Sequence, residues 1–273
     1  MSEARDLSGT SAVVTGASSG IGRAIAVRLG AEGMHVVVGG RSADGLAETA
    51  QAVRAAGGQA TEVAGDVREP SHVEALVAAA VDAGELTVMV NNAGVAWLGS
   101  VLDGDAEQWA AMLDTNVLAL LVGSKAAIEA MRAAGTAGRI VNISSGAASR
   151  RDSGVYGATK HAVNVITSTL RLELQGEPIQ VTSIMPGLVA TNIGRNVDPE
   201  VLRGMLAMAG LEREVEAGAI LSADDLDAIA AALSQIMITA EEVADAVGYV
   251  VTRPAHVNIP ELAIRPNQDV DLG

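Results

Sequence analysis

Short runs of β-branched and aliphatic residues alternate along the chain with longer, alanine-rich stretches whose apolar positions recur every three to four residues. The short runs are Ala12–Thr15, His35–Val38, Ala60–Ala64, Val88–Val90, Arg139–Ile143, Gln180–Ile184 and Leu262–Ile264. Between them the spacing predicts helices over Ile21–Ala31, Asp44–Ala56, His72–Ala83, Glu107–Met131 and Val155–Leu174. Strands this short and this apolar are expected where helices cover both faces of a parallel sheet. The alternation therefore predicts one α/β domain, a single doubly wound parallel sheet flanked by helices, spanning residues 1–273. Residues 195–238 fall outside the alternation, although their pattern is helical. They read as a helical insertion over the sheet edge. Ligands of open α/β sheets sit beyond the carboxyl ends of the strands, and this insertion follows one such end, so a lid over a ligand is expected. A surface decoration is the alternative.

Composition narrows this picture. Of 273 residues 49% are hydrophobic, which suffices for a large core, but aromatics are 1% and phenylalanine is absent, so the core must be built from Ala, Val, Leu and Ile with Met as filler. The formal net charge of −15 makes nucleic acid and anionic membrane surfaces poor partners. The absence of cysteine excludes disulfides and thiolate chemistry. His35, His72, His161 and His256 are scattered, without metal-ligand spacing, so no metal is expected. Residues 1–9 lack the apolar core of a signal peptide, and no apolar run reaches the ~18 residues of a membrane span. A soluble cytoplasmic protein is expected.

Between the first predicted strand and helix lies Thr15-Gly16-Ala17-Ser18-Ser19-Gly20-Ile21-Gly22. Gly16 allows a sharp turn, and Gly20 and Gly22 remove side chains where backbone would approach a pyrophosphate. The free N–H groups of the following helix would face the phosphates. The spacing is G-x-x-x-G-x-G rather than G-x-G-x-x-G. The second strand ends Val38-Gly39-Gly40-Arg41-Ser42. In a Rossmann unit an acidic residue here would bind a ribose 2′-hydroxyl, whereas an arginine accommodates a 2′-phosphate. Gly40 offers no carboxylate, and Arg41 with Ser42 offers charge and donors, so NADP(H) is expected over NAD(H).

Further segments fall in order behind that turn: Asn91-Asn92-Ala93-Gly94, Asn116, Ser144-Ser145, Tyr156-Gly157-Ala158-Thr159-Lys160 and Met185-Pro186-Gly187. Together they resemble the short-chain dehydrogenase/reductase family, from about residue 7 to residue 266. The tail Thr252–Ile259 and Ile264–Pro266 is similar to a narrower branch of NADP-dependent short-chain 3-hydroxy acid (serine-type) dehydrogenases and aldehyde-reducing relatives. The resemblance implies a Rossmann-like fold and hydride transfer between NADP(H) and a small carbonyl or alcohol substrate. It also implies a homodimer or homotetramer.

Such chemistry needs a proton donor for the developing alkoxide. A phenol with an ordinary pKa near ~10 is a poor base until a nearby cation stabilises its phenolate. Tyr156 and Lys160 are four residues apart and share a helix face, so the sequence supplies phenol and cation within one turn. The resemblance makes Tyr156 the acid/base and Lys160 a holder of the nicotinamide ribose. Ser145 would polarise the substrate oxygen, and Asn116 would hold a water relaying protons from Lys160. Eleven positions separate Ser145 from Tyr156, a shorter interval than the family leads one to expect, so either Ser145 or Ser144 reaches the substrate, with Ser145 matching the motif. Further cofactor contacts carried over are Gly16, Ser18, Ser19, Gly20, Ile21, Gly22, Asp66 and Val67 beside the adenine, Asn92, Ala93, Gly94, and Pro186, Gly187, Val189 and Thr191 near the nicotinamide carboxamide. Arg150 and Arg151 are either a solvated pair or a clamp for a substrate carboxylate. Trp97, Met205 and Met208 are candidate pocket lining. A catalytically silent NADP-binding sensor or scaffold is the alternative, and the intact Asn-Ser-Tyr-Lys set argues against it.

Overall fold

The computed structural model describes residues 5–193, 199–216 and 218–268. Strands β1 (Ser11–Thr15), β2 (His35–Gly40), β3 (Gln59–Ala64), β4 (Leu86–Asn91), β5 (Gly138–Ile143), β6 (Ile179–Pro186) and β7 (Glu261–Ile264) form one sheet in the order β3-β2-β1-β4-β5-β6-β7. Every pairing is parallel. The chain leaves β1 toward β2 on one side and returns as β4 on the other. Sheets of this kind take their ligands at that reversal, outside the carboxyl ends of β1 and β4.

Alternate residues of each strand point to opposite faces. Val14, Val38, Val90, Val141 and Ile184 pack beneath Ile25 and Leu29 of α1 (Gly20–Ala31) and Val243, Val247, Val250 and Val251 of α9 (Ala240–Val251). Val13, Val37, Met89, Ile140 and Val181 pack on the other face against Leu76 of α3 (Pro70–Ala83) and Ile128 and Met131 of α5 (Ala119–Ala134). The expected aliphatic core is thus present on both faces. Helices α2 (Ala43–Ala55), α4 (Ala106–Leu113) and α6 (Gly154–Glu173) complete the regular alternation.

The stretch expected as a single helix over residues 107–131 is α4, a π-helical turn at Asp114–Leu118, and α5 in one continuous rod, Ala106–Ala134. By length and hydropathy that rod would suffice to cross a bilayer, against the expectation that no such stretch exists. Its Leu120, Ala127, Ile128 and Met131 are instead buried in the domain. Helix α9 has no counterpart among the expected helices. Thr239 and Glu242 form a complete capping box at its start, and Val243, Val247 and Val250 follow at helical spacing. The insertion is only partly helical. Helices α7 (Pro199–Met208) and α8 (Ala223–Ala232) are joined by an irregular stretch, and its expected start at Arg195 lies outside the described residues. Leu202, Leu206, Val215, Leu221, Ile229 and Met237 give it an apolar cluster of its own.

At the opposite end of the sheet Arg139 of β5 is 1% exposed. Its guanidinium donates to Val257 O (3.1 Å), Arg253 O (2.8 Å) and Pro254 O (3.0 Å), and to Gln180 Oε1. Burial, aided by Arg5 and Arg253, lowers its pKa to about 10. A cation held by carbonyls rather than a carboxylate clamps the turn leading to β7. Arg139→Met would strand these acceptors and is expected to cost about 2 kcal/mol, read as a lower urea midpoint at unchanged slope.

Candidate active site

The glycine turn links β1 to α1. Gly16 has φ +65°, and a Cβ there would lie 2.9 Å from Ala93 Cα, so the turn closes tightly on the end of β4. Asn92 stitches the two together, donating from Nδ2 to Thr15 O (2.9 Å) and Gly16 O (3.3 Å), while Ala93 N donates to Thr15 Oγ1 (3.0 Å). Gly22, expected where backbone approaches a pyrophosphate, also packs tightly within the turn. A Cβ on it would lie 2.3 Å from Gly16 O and 2.5 Å from Asn92 Nδ2, so it is required for packing beneath the turn. Gly22→Ala is expected to destabilise the fold by about 1–3 kcal/mol, measured by chemical denaturation. Gly20 is the residue that meets the opposite wall, its would-be Cβ 3.3 Å from Thr191 Cγ2. Ser19 precedes α1 without capping it through its side chain, and Ile21 is half-buried. Ser18 lies against Gly40 and Gly45.

Ser42 caps α2, its side chain accepting from Gly45 N, and Arg41 is exposed beside it. Val67 is buried with Val73, Ala119 and Ala93. Beyond β6, Gly187 N donates to Ile264 O (2.8 Å), and Val189 forms a lone bridge to Ile238. These contacts tie the Pro186–Thr191 segment to β7 and to the end of the insertion. Asn192 ties it to the insertion a second time, accepting from Leu221 N (2.9 Å) and donating to Leu221 O (3.0 Å). Thr191 Oγ1 is buried with no hydrogen-bond partner among the described residues. An unpaired hydroxyl opposite a glycine turn and a helix N-terminus suits a polar ligand with phosphate at one end and hydrogen-bonding groups at the other.

Helix α6 carries Tyr156 and Lys160 to the same end of the sheet. Lys160 is 3% exposed, and its Nζ donates to Ile143 O at 2.9 Å and lies 6.0 Å from the centre of the Tyr156 ring. Burial lowers its pKa to about 8. Tyr156 is also buried, and burial pushes its phenol above the ordinary value while a hydrogen bond with the Ser145 side chain pulls it back. Desolvation dominates both groups, in opposite directions, because it disfavours whichever form is charged.

The two serines separate cleanly. Ser144 Oγ donates to Lys160 O at 3.1 Å and is buried, whereas Ser145 accepts from Ala147 N (3.1 Å) and bonds Tyr156. The short interval before Tyr156 is taken up by a 3₁₀ turn at Gly146–Ser149. Asn116 sits in the π-helical turn. Its Oδ1 accepts from Val95 N (2.9 Å), and its Nδ2 donates to Val95 O (3.0 Å) and Thr159 Oγ1 (3.0 Å). Both amide hydrogens are therefore committed to holding the β4–α4 connection against α6. At Gly94 a Cβ would lie 3.4 Å from Asn116 Oδ1 and 3.5 Å from Lys160 Nζ, which places the three residues together.

The remaining candidates divide. Arg150 is paired with Asp152 (2.5 Å), and Arg151 is exposed. Met205 packs on the insertion's own cluster, and Met208 is 61% exposed, so neither is a buried pocket wall; Trp97 is half-buried. Sequence reasoning missed Thr159, which joins Asn116 to the catalytic helix, and Asn192. Thr159 stands within the Tyr-x-x-x-Lys segment, so its position was the available signal.

A strand reversal, a glycine turn opening a helix, and a buried tyrosine–lysine pair define a dinucleotide-type oxidoreductase site. Residues 10–201 match the short-chain dehydrogenase family profile, and the chain belongs to that family of oxidoreductases. It is 34% identical over 258 residues to an uncharacterized oxidoreductase of Staphylococcus epidermidis, covering 93% of this chain and 96% of that one. Among solved structures it resembles the closed form of a serine dehydrogenase complexed with NADP+, at 30% identity and TM-score 0.77, covering 97% and 98% of the two chains. An actinorhodin polyketide ketoreductase with NADPH is similar at 33% identity and TM-score 0.75, covering 96% and 97%.

Proposed function

We propose that the protein is an NADP(H)-dependent oxidoreductase that reduces a small aldehyde or ketone, or oxidises the matching secondary alcohol or 3-hydroxy acid. The observation that carries this reading is the convergence of Tyr156, Ser145 and Lys160 at the end of the sheet where the glycine turn and Thr191 also lie. Gly40 and Arg41 at the end of β2 favour a 2′-phosphate over a free ribose hydroxyl, and the NADP-bound relatives point the same way.

In this reading Gly16, Ser18, Ser19, Gly20 and Ile21 cradle the pyrophosphate, with Gly22 supporting the turn from beneath. Arg41 and Ser42 meet the adenosine phosphate, Asp66 and Val67 the adenine, and Asn92, Ala93 and Gly94 the adenosine side. Pro186, Gly187, Val189 and Thr191 receive the carboxamide end, where the Thr191 hydroxyl gains the partner it lacks. The bound dinucleotide supplies or accepts the hydride. Tyr156 gives the proton to the substrate oxygen. Ser145 donates to the same oxygen. Lys160 anchors the nicotinamide ribose, and Asn116 holds the surrounding backbone and the proton path.

The insertion of residues 195–238 serves as a lid over the substrate, a role supported by the apolar cluster within its described part, residues 199–216 and 218–238, and by the ties of that part to Asn192. Leu113, Leu118 and Leu121 on the α4–α5 rod and Val165 and Leu172 on α6 are exposed, which supports self-association into a homodimer or homotetramer. The acidic balance argues against nucleic acid and membrane partners and fits a cytoplasmic enzyme.

The test is to mix the protein with NADPH or NADH and a panel of aldehydes and ketones, following nicotinamide absorbance. Loss of absorbance with at least one substrate, faster with NADPH, is expected. No turnover of any carbonyl, nor of the matching alcohols with NADP+, would overturn the reading.

A further inference from the structure

Strand β3 ends beside β2, with Gly40 paired to Ala64 and Gly65 N donating to Gly40 O at 2.9 Å. Arg41 and Asp66 therefore leave the sheet next to each other. That neighbourhood holds a conflict. If Arg41 receives a 2′-phosphate, the Asp66 carboxylate stands close to the same dianion, and two like charges there repel.

Arg68 resolves it. Its Nε and Nη2 donate to Asp66 Oδ2 at 3.0 and 2.7 Å, and its backbone N donates to Oδ1 at 3.0 Å. Arg68 holds the carboxylate well below the usual range, with Arg41 adding to the effect through its charge. Other groups face this corner as well. The His72 ring packs on Gly65, with Asp66 drawing its pKa up and burial, the larger influence, pushing it down, and Asp114 acts on Arg68 through its charge.

We propose that Arg68 is a positioning residue for cofactor choice: by capping and neutralising Asp66 it makes an adenine-side carboxylate compatible with a 2′-phosphate held by Arg41. This rests on the NADP(H) reading. It assigns Arg68 no contact with the cofactor. It also separates two roles, attraction by Arg41 and removal of repulsion by Arg68.

The test reads binding in the intact protein without turnover, by calorimetric titration with 2′,5′-ADP and with 5′-AMP. Wild-type protein binding 2′,5′-ADP more tightly than 5′-AMP is expected; no such preference would overturn the NADP(H) reading and this proposal with it. In Arg68→Met the affinity for 2′,5′-ADP is expected to fall about five- to tenfold, with 5′-AMP little changed. Arg68→Lys should retain much of the wild-type preference. Asp66→Asn combined with Arg68→Met should restore it, because the repelling charge is gone. A wild-type preference that survives Arg68→Met, an equal loss for both nucleotides in that variant, or a double variant no better than the single one would each refute the role given to Arg68.

Discussion

Tyr156→Phe is expected to lower carbonyl reduction by about 10²–10⁴-fold, the usual contribution of a positioned acid. NADPH binding, read by fluorescence titration, should remain. The substitution removes one oxygen from a buried ring and leaves the ring itself in place. The fold should therefore tolerate it, and the loss belongs to the proton transfer alone. Turnover kept within a few-fold of wild type would remove Tyr156 from the chemistry and leave the glycine turn serving some other purpose.

Lys160→Met should abolish turnover to a similar degree and, at neutral pH, make the protein more stable. An ammonium buried with a single carbonyl acceptor is costly, and its pKa of about 8 against an ordinary 10.5 measures that cost at about 3 kcal/mol, less about 1 for the lost bond to Ile143 O. The sign follows from proton counting. Below pH 8 the lysine is charged in both folded and unfolded chains, and the full penalty acts on the folded state. Between pH 8 and 10.5 the unfolded chain keeps a proton that the folded chain has released, so stability rises with pH. Above 10.5 the penalty is gone. Urea midpoints of wild type and variant should thus be furthest apart below pH 8 and converge toward pH 10.5. A variant less stable than wild type at pH 7 would show that the lysine is held by more than its one carbonyl.

Much of this was legible in the residues. The short aliphatic runs gave the strands because a strand buried on both faces has little room for polar side chains, and Gly16, Tyr156 and Lys160 stood out because their motifs, each weak alone, fall in order with the others along the chain. What failed had a common cause: the sequence shows which groups are near one another but not how dry they are. Gly22 was read as facing phosphate, and only the distance to Gly16 O reveals that it also packs beneath the turn. The Tyr156–Lys160 pair was read from its spacing, which does not show how deeply both groups are buried. Helix α9 escaped because its alanine–valine composition continues that of the insertion before it, although Thr239 and Glu242 marked its start. The choice between Ser144 and Ser145 needed the 3₁₀ turn that no periodicity announces.

The arginine clamp at the foot of the sheet has a consequence for biosynthesis. Arg139 is made 114–118 residues before its carbonyl partners at 253–257, and Arg5 also reaches Thr252 O and Ala137 O. Until those last residues emerge, a guanidinium destined for the dry interior must stay in water and β6 has an open edge. Nascent chains fold from the amino end where they can. Here the clamp that seals the centre closes only once residues 253–257 have been made, long after β5 itself.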